Sequence, residues 1–302
     1  MEILALVKKL RSSKVTKRDL HLKVLHVEID HHSGGFFAQL NWCLYIFAFS
    51  KMHSLTPRVS LVSDNYRNAS SPKRDWFTNY FTYQNTTYSE DLNAFSWRKK
   101  YITHISELGF SIEPDLTIKQ AHDIFFETVI VKTSIQKEAD DFVNTYFGDK
   151  SILGVHYRGT DKGTEAPRVQ YESTRNAICA AIGANPSIAG VYIATDEHTF
   201  LEYMQRNFNA RTIYSRIDSV RSKDGTAVHL SRSRPANTDI GRDALVNCMI
   251  LSRCRTLVRC SSFLSAWASV FNPAVNVILL NRPFENKLWY PEREIIKTAT
   301  FL

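Results

Sequence analysis

The sequence predicts an α/β fold built on parallel sheets, and three observations support this. Short continuous apolar runs recur through the second half, at 152–156, 190–194, 256–259 and 275–280. Segments with helical spacing separate them, at 169–182, 198–208, 242–254 and 264–271. A strand–turn–helix start occurs in both halves, without an internal sequence repeat. Helical patterns between short buried strands indicate βαβ units, whose parallel sheets take ligands beyond the carboxyl ends of their strands.

In chain order, residues 22–29 (LKVLHVEI) read as the first strand. A polar turn with two glycines (DHHSGG) follows, then a helix beginning FFAQLNW. Residues 58–62 read as a second strand, 64–100 are irregular and rich in Asn, Ser, Tyr and Trp, and 111–147 have helical spacing. The polar break Phe147-Gly-Asp-Lys-Ser predicts two domains, 1–150 and 151–302. In the second domain, the strand at 190–194 ends in Thr195-Asp196-Glu197, a helix covers 198–208, and a short strand covers 212–215.

A chain of 302 residues with 44% hydrophobic and 23% charged residues has room for real cores and the composition of an ordinary globular protein. No apolar run reaches the ~20 residues that a membrane helix needs. The N-terminal stretch has its apolar residues before its charges and does not read as a secretory signal, although a short amphipathic anchor and peripheral membrane contact stay open. The five cysteines form no CxxC pair and predict buried, reduced thiols in a reducing compartment, hence a cytoplasmic location. A net charge of +8 suits an anionic ligand, an anionic membrane surface or nucleic acid. Alternating aromatic and basic residues are missing, which argues against nucleic acid.

The densest cluster of chemistry is HYRGTDKGTE, at the mouth of the strand at 152–156. Strand alternation puts His156 and Arg158 on one side and Tyr157 on the other. The fork of Arg158 fits a phosphate, Lys162 adds a second positive charge, Asp161 can hold either base, and Glu165 can approach a substrate hydroxyl. The same residue types would also make a strand-end ion-pair network without a ligand. Gly34 and Gly35 precede a helix, where backbone N–H groups can approach a phosphate; a plain tight turn explains them as well. Asp243 and Asn247 are four apart and share a helical face, opposite an apolar stripe. Ser261 and Ser262 precede a helix and suit either a phosphate or an N-cap, and Asp196 suits either an N-cap or a nucleotide contact. Asp30, His31 and His32 are a poor metal set, and no DxD, GxSxG, HExxH or Walker A motif occurs, so no metal is expected. The segment from Trp76 to Trp97 reads equally as an acceptor surface or as core.

These stretches together resemble the α1,6-fucosyltransferase family. HYRGTDKGTEA is similar to that family's strand-end signature, SGGFFAQLNWCLY to its Gly-rich turn and first helix, ATDE to its V-x-x-A-T-D-[DE] segment, and ALVNCMILSRCRTLVRCSS to its late donor segment. All four fall in the family's order between about residues 22 and 282. The resemblance implies a GT-B enzyme of the compact bacterial nodulation-factor type, with two Rossmann-like domains facing each other across a cleft. Residues 1–150 would serve the acceptor side and 151–302 the nucleotide sugar. The substrates implied are GDP-fucose and a glycan hydroxyl, with inversion and without metal or other cofactor; the alternatives are a GT-B glycosyltransferase that uses a different nucleotide sugar and a non-catalytic nucleotide- or glycan-binding protein of the same fold. Arg158 would grip the β-phosphate, His156 would lie beside the nucleotide, Lys162 would assist, and Glu165 would be the base. Gly34, Gly35 and Ser262 would meet the diphosphate. Two features depart from the pattern: the Lys162-to-Glu165 spacing is one residue shorter than in the animal enzymes, and Asn247 stands where they carry a guanine-reading Asp, with Asp243, one turn earlier on the same face, placed to compensate in donor binding.

Overall fold

The computed structural model describes residues 24–30, 34–63, 65–67, 75–84, 94–99 (backbone only), 115–159, 163, 165–222 and 237–301. The chain divides into two compact units, Met1–Lys132 and Thr133–Leu302. The expected boundary lay after the helical segment ending near 147. The division instead precedes that segment's second helix, because this helix and the residue after it pack within the C-terminal unit, Phe142 and Phe147 both on Tyr192.

In the first unit, strand β1 (Val24–Asp30) lies between β2 (Thr56–Val62) and β4 (Ala94–Lys99), parallel to both. Helix α1 (Phe36–Met52) connects β1 to β2. Its apolar residues run all the way round, and Phe36, Leu40, Leu44, Ile46 and Phe47 are all buried, as such a helix must be. The short helix α2 (Phe77–Tyr80) leads into β3 (Phe81–Tyr83). Helix α3 (Ile118–Thr128) starts with a capping box between Thr117 and Gln120 and runs into β5 (Val129–Val131), which pairs antiparallel with β3. Trp76, Phe77, Tyr80 and Phe81 are buried, and Trp76 packs with Phe36, Tyr66 and Tyr80. This part of the aromatic segment is core and offers no acceptor surface.

The C-terminal unit opens with α4 (Thr133–Tyr146) and carries a six-stranded parallel sheet in the order β11-β10-β9-β6-β7-β8. Its members are β6 (Ser151–Tyr157), β7 (Ile188–Thr195), β8 (Thr212–Tyr214), β9 (Thr256–Arg259), β10 (Asn276–Leu279) and β11 (Thr300–Phe301). Between them run α5 (Tyr171–Ala184), α6 (His198–Asn207), α7 (Asn237–Ser252), α8 (Phe263–Phe271) and the single-turn α9 (Glu292–Ile295). One face of the sheet buries Val155, Tyr157, Val191 and Ile193 with Ile178, Phe200 and Met204 of α5 and α6. The other face meets the end of α7 at Gly154, where a Cβ would stand 3.3 Å from the side chain of Leu251 and 3.1 Å from that of Cys254, just after the helix. Every strand expected in this half is present. Helix α7 begins earlier than its apolar pattern, at Asn237, and its second half is buried on all sides, Asn247 included, instead of carrying one stripe.

The connections decide where a ligand can enter. From β6 the chain steps through α5 and α6 to β7 and β8, then α7 carries it back to β9 on the opposite side of β6. The strand order therefore reverses between β6 and β9. At such a switch point the loops diverge and leave a crevice beyond the carboxyl ends. Among the described residues, no helix is long and apolar enough to cross a membrane.

Candidate active site

The switch point brings together the residues that leave β6, β7 and β9. Tyr157 turns into the α5–α6 core, stacks on Phe200 and donates to the Val169 carbonyl at 2.8 Å. His156 is the residue before Tyr157 in the strand, and Arg158 is the first residue beyond it. His156 is buried, and its carbonyl accepts from Cys260 N at 3.0 Å, which binds the end of β6 to the end of β9. Arg158 keeps about 23% of its side chain exposed and lies with Nε 3.8 Å from Asp196 Oδ2. Asp196 also accepts from Gly159 N at 3.3 Å. One carboxylate at the end of β7 thus orients both the Arg158 side chain and the following peptide. The N-cap of α6 is Glu197, not Asp196, and no side chain caps that helix.

Glu197 was not among the expected site residues. It is buried, accepts from Tyr171 Oη at 2.6 Å and from Arg168 Nη2 at 3.3 Å, and lies against Gly159. Its only signal in the sequence is its place after Asp196. Asp161 and Lys162 lie outside the described residues, as do His31 and His32. Glu165 is half-buried on the turn beyond β6, and its carbonyl accepts from Phe284 N at 2.9 Å.

The β9–α8 turn, Cys260-Ser261-Ser262, faces the same edge. Ser262 is the N-cap of α8, yet its hydroxyl makes no capping hydrogen bond. Ser261 N donates to Asn281 Oδ1 at 2.7 Å, and Asn281 Nδ2 donates to the Pro167 carbonyl at 2.7 Å. Asn281, also missed in the sequence, thereby ties the β9 turn to the loop that carries Glu165. Burial pushes the Cys260 thiol up to about 12, so it stays protonated at neutral pH and is no nucleophile.

Asp243 and Asn247 share a face of α7, at the side of the unit that bears Arg216. Asp243 Oδ1 accepts from Arg216 Nη1 at 2.8 Å, Ser219 Oγ at 2.9 Å and Asn247 Nδ2 at 2.9 Å, while Oδ2 accepts from Val220 N at 3.1 Å. Burial raises its carboxyl pKa, against the opposing pull of Arg216 and these donors. Asn247 accepts from Tyr192 Oη at 2.6 Å and donates to Ser219 Oγ at 3.0 Å. Both side chains are thus committed to this network. A cavity of about 270 Å³ opens beside it, lined by Arg216, Asp218, Val220, Asp239, Arg242 and Asp243.

Gly34 and Gly35 lie in the first unit, before α1. The Gly34 carbonyl accepts from Gln39 Nε2 at 2.8 Å, and among the described residues nothing would stand within 4 Å of a Cβ at Gly35. Cys43, Cys248, Cys254 and Cys260 are buried free thiols, whereas Cys179 is exposed on α5, contrary to the expectation for all five. Among the described residues no group of three or more His, Cys, Asp and Glu side chains could hold a metal ion.

No family model matches the sequence, and no curated protein matches it. Two solved structures of the NodZ alpha-1,6-fucosyltransferase match its architecture. One, soaked with GDP-fucose, is 14% identical with a TM-score of 0.53, over 85% of this chain and 98% of that one. The other, co-crystallised with GDP, is 15% identical with a TM-score of 0.51, over 85% of this chain and 97% of that one. At such identities the likeness is one of fold, and it runs nearly the full length of those chains: this protein has the α/β fold of the NodZ alpha-1,6-fucosyltransferase.

Proposed function

We propose that the protein is a fucosyltransferase that moves fucose from GDP-fucose to a glycan hydroxyl, with inversion and without a metal ion. The observation that carries this reading is the convergence of Arg158, held by Asp196, and the Ser261–Ser262 turn on the β6–β9 switch point. An arginine fork and a helix N-terminus together suit a diphosphate. The family resemblance of the four sequence motifs, and the fold shared with an enzyme solved with GDP-fucose, give the donor its identity in this reading.

In the reaction so proposed, the acceptor hydroxyl attacks the anomeric carbon as the bond to the diphosphate breaks. Charge grows on the leaving GDP, where Arg158, Lys162 and the N–H groups of the α8 N-terminus stabilise it. Glu165 takes the proton of the attacking hydroxyl, a role worth typically ~10²–10⁴-fold. His156 and Ser262 belong to the donor site. Asp243 and Asn247 are already hydrogen-bonded within the protein, and of the carboxylates that line the cavity beside them Asp218 also accepts from Arg216 Nη2 at 2.8 Å, so the guanine edge, with its adjacent N1–H and N2 donors, is read by Asp239. GT-B architecture, with the acceptor served by the N-terminal unit and the nucleotide by the C-terminal one, completes the reading.

Calorimetric titration with GDP, UDP, ADP and CMP, each repeated in EDTA, tests it. GDP should bind tightest, EDTA should change nothing, and GDP-fucose should release GDP when a glycan acceptor is present. Equal binding of UDP or ADP would overturn the donor. Turnover lost in EDTA and restored by Mn²⁺ or Mg²⁺ would overturn the metal-free mechanism.

A further inference from the structure

Arg259 and Glu292 are both fully buried and form an ion pair, Nη2 to Oε2, at 2.8 Å. Taking two charges out of water is expensive, and apolar residues of similar volume often give equal or greater stability. Stability alone therefore explains this pair poorly, and its further bonds show what it shapes. Arg259 closes β9 immediately before the Cys260–Ser262 turn. Its Nε donates to Ser265 Oγ at 2.8 Å, and the Nη2 that meets Glu292 also donates to the Ser262 carbonyl at 3.0 Å. Ser265 Oγ in turn lies 3.3 Å from the Cys260 carbonyl, within hydrogen-bonding distance. One guanidinium thus fixes both ends of the turn and the first turn of α8, from below. Glu292 holds the guanidinium from α9, beyond β10. The Ser262 hydroxyl takes no part as a cap.

We propose that Arg259 and Glu292 are a positioning pair for the nucleotide diphosphate, resting on the donor reading above. Arg259 touches no ligand. Its charge is balanced by Glu292, and its planar fork sets the Ser262 carbonyl and the α8 N-terminus so that the leading N–H groups and the Ser262 hydroxyl face the anion. The pair is a geometric device, which distinguishes it from the partly exposed Arg158.

The test uses the full-length chain with GDP as the probe, read by calorimetry and by thermal melting. The double variant Arg259→Met/Glu292→Met should melt cooperatively near the natural temperature, while its Kd for GDP rises at least tenfold. In turnover, the KM for GDP-fucose should rise with the acceptor KM unchanged. Arg259→Lys keeps the charge and loses the fork, so it should not restore GDP affinity. A double variant that folds and binds GDP within twofold of the natural protein overturns the proposal, as does full rescue by lysine. Should the double variant not fold, Ser265→Ala decides: it should melt normally and weaken GDP about threefold, and an unchanged Kd overturns the proposal. If the natural protein binds no GDP, the donor reading fails and takes this inference with it. Natural binding with unaffected variants removes this inference alone.

Discussion

Gly159 lies so close to the Glu197 carboxylate that a Cβ at position 159 would overlap it. The carboxylate cannot swing away at little cost, since it is buried and held by Tyr171 Oη at 2.6 Å and by Arg168. Gly159 therefore permits the loop after Arg158 to pass over the end of β7. Gly159→Ala should destabilise the C-terminal unit by about 1–3 kcal/mol, as overpacking does, and should displace the loop that carries Glu165. A double-mutant cycle with Glu197→Ala, followed by chemical denaturation, checks the mechanism. The two changes should couple by about 0.5–3 kcal/mol, with the double variant better than the sum of the singles. Additive effects would show that the overlap is relieved elsewhere.

Arg158 is a partly exposed guanidinium steered by Asp196, which is the geometry of a ligand clamp more than of a buried tie. A lysine supplies charge without the fork. Arg158→Lys should lower kcat by an amount corresponding to about 3–4 kcal/mol of transition-state stabilisation, with an unchanged melting temperature. Steady-state kinetics beside a thermal melt reads both, and near-natural kcat would reduce Arg158 to an ion-pair residue.

Asn281 bridges Ser261 N and the Pro167 carbonyl, so it joins the donor turn to the Glu165 loop. Its amide is half-buried, and water can replace part of what it provides. Asn281→Ala should cost about 1 kcal/mol of stability, the net value of a typical hydrogen bond. The larger expected effect is functional: GDP affinity and kcat should fall together, because both loops lose their shared anchor. Calorimetry and turnover on the same preparation would expose a loss confined to stability.

Asp75, in the first unit, has a carboxyl pKa raised mainly by burial, against the N–H groups of Leu61 and Phe77 that its Oδ1 accepts. A raised pKa means that the folded state holds the proton more tightly. The associated stability is complete below the unfolded value of about 3.9 and is lost as pH rises through the higher folded value. Asp75→Asn keeps an Oδ1 acceptor without the charge. It should be more stable than the natural protein at pH 7, and the difference should vanish below about pH 4. Denaturation curves at several pH values give the answer, and a variant less stable at pH 7 would contradict it.

The sequence by itself determined β6 to β10 and α5 to α8 of the C-terminal unit, since continuous apolar runs and helical spacing are local signals, whereas the single-turn α9 and the two-residue β11 are too short to carry one. It also placed Arg158, Asp196, Ser261 and Ser262 at strand ends, because a parallel βαβ unit leaves its polar residues where the strands stop. Irregular stretches carried less: β4 was not foreseen, and the pattern around Trp76 was compatible with both core and surface. Only packing against Phe36, Tyr66 and Tyr80 resolved Trp76 as core. The partners of the charges were likewise a tertiary matter. Arg158 meets Asp196 from β7, Asp243 is taken by Arg216, and Arg259 finds Glu292 across β10, none of which sequence spacing announces. The physical reason is range. Periodicity expresses contacts within a few residues, whereas the fate of a charge depends on which strands become neighbours and how much water they exclude.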